Sequence, residues 1–243
     1  MTIIKLNAIG STNTFLKELY STQPLENFTI VVAENQTEGK GQRGNLWNTE
    51  PHKNLTFSIL IKNTLLPETS IFDLNIAISL SIIQLLKKMN IPQLSIKWPN
   101  DILAEGKKIA GILIENIFSS RENVSSIIGI GINVNQTNFK DLPKASSLQN
   151  ATGLIYDKDV LLRELREQII LNYKLLKNGE TEMLWQAYHN YLFMKDKTAI
   201  FEYPDGLRFS GRIIKVLRNG KLQIKLEDAT TTTFEFKEIR MIY

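Results

Sequence analysis

The chain has 243 residues, 43% of them hydrophobic, with 29 lysines and arginines against 25 acids, a formal net charge of +4 and no cysteine. Disulfide scaffolds, thiolate nucleophiles and cysteine-ligated zinc are thereby excluded. The basic residues are interspersed with acids and form no block, which permits an acidic partner without demanding nucleic acid. At this size roughly 70% of the unfolded surface can be buried, in one domain or in a large and a small one. With no uninterrupted apolar run of about 18 residues and no signal-peptide pattern in MTIIKLNAIGSTN, a soluble cytoplasmic protein without membrane contact is expected.

IIKLNAI (3–9) is strand-like, and Ser11–Thr22 follows as a short helix opened by capping residues, with Phe15, Leu16, Leu19 and Tyr20 on one face. FTIVVAE (28–34) and LTFSILI (55–61) read as strands joined by a long loop, Asn35–Asn54, rich in Gly, Asn and Gln. Over Ser70–Met89 the apolar residues Ile71, Leu74, Ile78, Ile82, Leu85 and Leu86 recur at three and four, which predicts a long buried helix, with Pro92 breaking the chain after it. Three β-rich runs, LSIKW (94–98), KIAGILIENI (108–117) and SSIIGIGINV (125–134), extend the sheet, and the loop-like stretch QTNFKDLPKASSLQNATG leads away from it. Two helices are predicted next. Asp157–Lys177 is capped by Asp157 and turns Val160, Leu161, Leu165, Ile169 and Tyr173 inward, and Thr181–Phe193 follows; neither carries a pattern beyond core packing. From Lys195, short strands with turns at Pro204-Asp205-Gly206 and Asn219-Gly220 predict a small β-barrel of about fifty residues. The chain thus divides into a domain of 1–193 and one of 194–243.

Gly39-Lys40-Gly41-Gln42-Arg43-Gly44 matches the dinucleotide-binding pattern G-x-G-x-x-G after a strand, but NLWNTEPHKNLTFSILI then contains a proline and runs into another strand instead of opening a helix. What remains is a loop whose backbone N–H groups and cations, Lys40 and Arg43, suit an anionic ligand, or else a plain solvated glycine loop. His52 and His189, the two histidines, have no metal-ligand spacing around them and are expected at ordinary surface or loop positions. Ser11-Thr12-Asn13 reads as a helix N-cap, and IAGILI (109–114) as a core strand in which Gly111 allows close approach to the backbone.

Ser-Thr-Asn at 11–13, AENQTEGKGQRGNLW at 33–47, KWPND at 97–101, KKIAGILIE at 107–115 and GIGIN at 129–133 stand in the order and spacing of the biotin protein ligases. The chain resembles that family closely over residues 11–135, and its C-terminal part resembles the family's small SH3-like domain more loosely. The resemblance implies an α+β fold: a mixed sheet with flanking helices, like that of class II aminoacyl-tRNA synthetases, plus an SH3-like β-barrel, with the active site on one sheet face beneath the glycine loop. Because ten residues precede Ser11, a short form without a DNA-binding helix-turn-helix domain, and so without repressor action, is expected. The implied reaction uses ATP and Mg2+ to form biotinyl-5′-AMP and then joins biotin to a lysine of a biotin carboxyl carrier protein domain, in a monomer or homodimer.

Biotin's ureido ring presents one carbonyl and two N–H groups, which small neutral polar residues suit: Ser11, Thr12, Asn13 and Gln36. By resemblance Gly39, Lys40, Gly41, Gln42, Lys108 and Gly111 complete the biotin site. Attack of the biotin carboxylate on the α-phosphate brings two anions together, and fixed cations must offset them. The resemblance gives Lys108 to the carboxylate and phosphate oxygens and Arg43 and Lys97 to the nucleotide phosphates, which makes these three the catalytic set. Trp47, Asn100 and Asn133 are the further ATP contacts it implies; Trp47 would stack on adenine or close the loop, although Trp47 and Trp98 also suit plain packing. Asp101 is a lone-carboxylate candidate for Mg2+. The acceptor lysine then attacks the mixed anhydride and expels AMP, so no enzyme nucleophile is needed, and the loop at 36–48 is expected to exclude water as a lid that orders on binding. Family members commonly carry arginine at the second and fourth positions of the glycine loop and after its last glycine. Here Lys40, Gln42 and Asn45 stand there, so either Arg43, Lys97 and Lys108 suffice or the adenylate is released more readily. The competing readings are a lipoate or octanoate protein ligase of related fold and a non-catalytic nucleic-acid-binding module using the C-terminal barrel.

Overall fold

The structure, a computed structural model, describes residues 2–62, 64, 71–118, 124–140 and 142–243, and the side chains of Arg43 and Ile71 lie outside that description. Seven strands, β1 (Ile3–Ile9), β2 (Ile30–Gln36), β3 (Leu55–Ile61), β4 (Leu94–Lys97), β5 (Asp101–Ala104), β6 (Lys107–Phe118) and β7 (Val124–Ile132), form one sheet in the order β1-β2-β3-β7-β6-β5-β4. β1 runs parallel to β2 and the other neighbours are antiparallel. The helices are α1 (Thr12–Thr22), α2 (Ile71–Lys88), α3 (Leu148–Thr152), α4 (Lys158–Lys177) and α5 (Thr181–Tyr191).

Side chains alternate along a strand, and β7 uses that alternation to separate two environments. Ile128, Ile130 and Ile132 enter the main core with Phe57, Ile59 and the apolar faces of α2, α4 and α5. Ile127, Gly129 and Gly131 face the other way. There α1 covers only part of the sheet, by packing Leu16 on Val31, Leu60 and Ile127, and the remainder lies beneath the glycine loop. No described helix is long and apolar enough to cross a membrane.

The helices predicted at 11–22, 70–89, 157–177 and 181–193 are present with ends shifted by a residue or two. Asp157 caps α4, its carboxylate accepting from the N–H groups of Asp159 and Val160. Val160, expected inward, is 39% exposed. The buried stripe of α4 runs through Leu161, Leu165, Ile169 and Tyr173, and Val160 lies 100° around the helix from it, on the side of exposed Leu171. Two elements were not predicted. β5 is only four residues long and enters β6 through Glu105 and Gly106, both at positive φ (50° and 74°), the two-residue turn of a tight hairpin. α3 is a short turn capped by the Ser147 hydroxyl and ended by Gly153 at φ 77°.

The C-terminal strands β8 (Thr198–Glu202), β9 (Arg208–Val216), β10 (Leu222–Leu226), β11 (Thr231–Phe234) and β12 (Arg240–Ile242) form an antiparallel sheet in the order β11-β10-β9-β8-β12. β11 and β12 stand at its two ends among the described residues, an order compatible with the predicted SH3-like domain. It docks on the larger sheet through its turn at Asn219-Gly220. The Trp98 indole N–H donates to the Gly220 carbonyl at 2.8 Å, and a Cβ on Gly220 would lie 2.8 Å from the Phe72 ring. His52 is exposed in a loop, as expected. His189 is not: it sits inside α5, half-buried against β9, where its Nε2 lies 3.0 Å from the Val216 nitrogen and 3.1 Å from the Val216 carbonyl oxygen. Burial lowers its pKa first, with Lys195 and Lys215 acting in the same direction against hydrogen bonds to the Val216 and Trp185 backbone.

Candidate functional site

Register partners place Thr56 (β3), Gly131 (β7), Gly111 (β6), Asp101 (β5) and Lys97 (β4) in one row across the open sheet face. The two central positions lack side chains, so the row has a bare floor with a hydroxyl at one end and charges at the other. A cavity of ≈ 200 Å³ lies over it. Simple alternation would turn Lys108 to the opposite face from Gly111. The β5–β6 pairing prevents this, because Ile102 opposes Ala110 while Leu103 opposes Lys108, and Ile109 becomes an extra residue. Such a bulge re-aims the neighbouring side chain, and Lys108 Nζ lies 3.4 Å from where a Cβ on Gly111 would be.

The charged end is tightly knit. Asp101 receives Lys108 Nζ at 2.7 Å through Oδ1 and Lys97 Nζ at 3.7 Å through Oδ2. Lys97 has its pKa pulled down, by burial first, with Asp101 opposing and Lys108 and Lys144 adding to the fall. With both oxygens facing ammonium groups, Asp101 is a poor Mg2+ ligand, and the described residues contain no cluster of three metal-ligating side chains.

The polar end is a buried network at the start of α1. Ser11 stands at the N-cap, but its hydroxyl makes no capping bond. The backbone N–H and hydroxyl of Thr12 both donate to Gln36 Oε1, at 2.8 and 2.9 Å. Ser58, fully buried on β3, lies 2.7 Å from Thr12 Oγ1 and 2.5 Å from Asn13 Oδ1, one hydroxyl proton between two acceptors. Asn13 Nδ2 donates to Glu115 at 2.7 Å, and Gly129 is required beneath it because a Cβ there would lie 2.5 Å from Asn13 Oδ1.

The glycine loop closes on itself through Trp47 N–H to the Gly39 carbonyl at 2.8 Å and Gly41 N–H to the Asn45 carbonyl at 2.7 Å, with a 3-10 turn over Gln42–Gly44 at its tip. It opens no α-helix, consistent with rejection of a dinucleotide-binding turn. Lys40 Nζ donates to Thr14 Oγ1 at 2.9 Å. The loop lays the Trp47 indole on the bare floor: a Cβ on Gly131 would lie 2.3 Å from Trp47 Cε2, and one on Gly111 3.2 Å from its Cζ3. The indole Nε1 is buried with no hydrogen-bond partner among the described residues, and Lys108 Nζ stands 5.3 Å from the ring centroid.

The predicted site residues line this cavity, apart from Gly39, Asn133 and Arg43. Gly39 is pressed against the Trp47 carbonyl, and the Arg43 side chain lies outside the described residues. Asn133 lies outside the cavity lining and binds the Ser146 carbonyl at 2.9 Å. Asn100 lines the cavity but spends its Nδ2 on the Ile112 carbonyl at 2.6 Å. Trp98 contributes an edge of the cavity while serving the junction with the C-terminal sheet. Sequence reasoning missed Ser58, Glu115, Gly129, Gly131 and Lys144. The alternating glycines of GIGIN were a usable signal for two of them, whereas Ser58 and Lys144 had none.

The cavity suits a small acid with a neutral polar head, whose carboxylate would meet paired ammonium groups, and the fold around it is one that known ligases share. A sequence model of the biotin/lipoate A/B protein ligase family matches residues 6–133, more than half of the chain, and the chain belongs to that family. It is 32% identical over 193 residues to the bifunctional ligase/repressor BirA of Bacillus subtilis, a match covering 76% of this chain and 59% of that protein. It is 30% identical over 168 residues to the biotin–[acetyl-CoA-carboxylase] ligase of Mycobacterium tuberculosis, covering 66% of this chain and 61% of the relative. The match thus spans less than two thirds of either relative. Among solved structures, a biotin protein ligase from Aquifex aeolicus in complex with biotin and ATP aligns with a TM-score of 0.81 at 25% identity, over 99% of this chain and 98% of that one. The predicted α+β architecture is therefore the biotin protein ligase fold.

Proposed function

We propose that the protein is an ATP-dependent biotin protein ligase, which forms biotinyl-5′-AMP and transfers biotin to a lysine of a biotin carboxyl carrier domain of a biotin-dependent carboxylase. The observation that carries this reading is the row from Thr56 to Lys97, with a buried neutral network and a lysine pair at opposite ends of a glycine floor. The names of its relatives, a bifunctional ligase/repressor and a biotin–[acetyl-CoA-carboxylase] ligase, support it. In this reading residues 1–193 bind biotin and ATP, residues 194–243 are a second domain, and the protein works in the cytoplasm.

At the polar end, Asn13 and Thr12 share a single Ser58 proton, so acceptors are in surplus and suit the two ureido N–H groups. The Gln36 amide and the uncapped Ser11 hydroxyl supply donors for the ureido carbonyl. The tail of biotin runs along Gly131 and Gly111 once Trp47 leaves the floor, and its ring is then free to cover the nucleotide. Lys108, steadied by Asp101, holds the biotin carboxylate against the α-phosphate, with Lys97 and Arg43 on the phosphate oxygens. A carboxylate oxygen attacks the α-phosphorus, the bond to the bridging oxygen breaks, and its electron pair leaves on pyrophosphate. Mg2+ would neutralise phosphate oxygens; with Asp101 engaged by lysines, the nucleotide itself is the ion's carrier. The acceptor amine then attacks the acyl carbonyl, AMP departs and an amide forms, with no enzyme nucleophile involved.

The test is transfer of labelled biotin to a biotin carrier domain with ATP and Mg2+. Wild-type protein is expected to label the domain, and Lys108→Ala to slow labelling by about 10²–10³, the cost of one preorganised charge. Efficient transfer of lipoate with none of biotin would overturn the biotin assignment and move the protein to the lipoate side of its family.

A further inference from the structure

We propose that Lys144 and Tyr243, outside every recognised motif, form the outer end of the nucleotide site, Lys144 meeting the pyrophosphate leaving group and Tyr243 positioning it. This rests on the reading that ATP is the second substrate.

The backbone of Lys144 is locked to that of Lys108. The Lys108 N–H donates to the Lys144 carbonyl at 2.7 Å, and the Lys108 carbonyl accepts the Ser146 N–H at 2.9 Å. Asn133, by holding the Ser146 carbonyl, fixes the same segment. The two side chains then diverge: Lys108 turns inward to Asp101, whereas Lys144 is exposed. Lys144 Nζ lies 4.2 Å from the centroid of the Tyr243 ring, and Lys97 Nζ lies 5.2 Å from the same centroid. One aromatic ring thus gathers two ammonium groups that repel each other. Tyr243 is itself held edge-on by Phe193, at 5.3 Å between centroids.

Charge counting supports an anion here. Among the described residues Lys97 and Lys108 share one carboxylate, Asp101, and Lys144 has no acidic partner. Lys97 has its pKa lowered by burial first, and Lys108 and then Lys144 add to the fall against Asp101, so the Lys144 charge is felt at the inner lysine. Inner positions at Lys108 serve the reacting carboxylate and α-phosphate, so the exposed position beyond them falls to the β- and γ-phosphates. As the α–β bridging bond breaks, the electron pair passes to pyrophosphate, and Lys144 offsets part of that charge.

The experiment is calorimetric titration of the full chain with a non-hydrolysable ATP analogue and, separately, with AMP. Lys144→Ala is expected to weaken the analogue about fivefold, the contribution of a partly exposed ion pair, with AMP affinity held within about twofold as a control for folding. Lys144→Arg restores the analogue. Tyr243→Ala loses part of its affinity and Tyr243→Phe, which keeps the ring, retains it, a rescue that a purely structural role for the C-terminus would not produce. Equal affinity of Lys144→Ala and wild type for the analogue, or equal loss for AMP and the analogue, overturns the assignment. No biotin is present in the titration, so a selective Lys144→Ala loss in a protein that transfers no biotin would support this inference while refuting the proposed acid substrate.

Discussion

The two faces of the large sheet are built by different rules, and β7 carries both in adjacent residues. On the helix side, Ile130 is one of many buried apolar residues filling a common core. On the open side, Gly131 acts through the side chain it lacks, since any Cβ would overlap the space held by Trp47. A core spreads its stabilisation over many contacts, whereas a site depends on single atoms at single positions. Damage to the first face should appear in stability and damage to the second in activity.

Neighbouring substitutions test this most severely. Gly131→Val is expected to reduce biotin transfer by about 10²-fold, the scale of losses when reacting groups are displaced by about an ångström, with a melting temperature close to wild type because Trp47 is already half-exposed. Ile130→Ala should do the reverse, costing about 2–5 kcal/mol of stability while the folded fraction keeps its KM for biotin. Both readouts come from thermal melts and initial rates on the same preparations. If Gly131→Val transferred biotin normally, the floor would not be the ligand's path.

How far this division was legible beforehand depends on the range over which each signal acts. Helix periodicity in α2 and α4 and the capping of α4 by Asp157 are local, and the structure shows both helices and the cap, with Val160 alone of the α4 stripe turned outward. The motif lysines and the Ser-Thr-Asn segment were also visible, because resemblance ties each to a position. β5 was hidden because DILA is too short for a period-two pattern and its first residue, Asp101, closes KWPND, although the following Glu-Gly was a hairpin signal. Ser58 looked like any residue of the apolar run LTFSILI; only its register opposite Gly129 brings it under Asn13. The turning of Lys108 depends on a bulge at Ile109, and the approach of Lys144 depends on a loop returning to β6. No single-strand pattern encodes either.

A smaller effect concerns the charges of the site face. Lys97 is depressed below the ordinary lysine range by burial, with Lys108 and Lys144 reinforcing and Asp101 opposing; Tyr243 and Asp101 are its other neighbours. ATP brings negative charge and raises that pKa again, so binding takes up a proton once pH exceeds the value in the free protein. Apparent ATP affinity should therefore fall as pH rises through the depressed Lys97 pKa, by at most about tenfold per pH unit for one proton. The stability of the free protein should move oppositely. The folded state binds fewer protons than the unfolded one between the two pKa values, so stability rises over that interval. A KM-versus-pH profile for ATP would reveal the limb, and Lys97→Arg, which stays charged, should remove it. A limb unchanged in Lys97→Arg would assign the proton to another group.

The smallest effect is expected where a titratable group has been absorbed by the helix side. His189 joins α5 to β9 through Nε2, which faces both the N–H and the carbonyl of Val216. Its folded pKa lies below the ordinary 6.5, chiefly through burial. As pH falls below that value the unfolded chain protonates first, so stability declines from there down to the folded pKa and is level below both. His189 is only half-buried, and the shift in melting temperature should be about 2 °C or less for a chain of this size. His189→Gln offers Val216 both a donor and an acceptor without titrating, and its melting temperature should stay flatter over the same interval. ATP binding should be indifferent to this substitution, because the charges that serve the ligand all lie on the opposite face. If acid weakened wild type and His189→Gln equally, His189 would not be the source of the response, and neither would Asp73 at the same junction. Asp73 has a pKa raised by burial against its bonds to Trp185 and Arg218, and would gain stability, not lose it, as pH falls through that raised value.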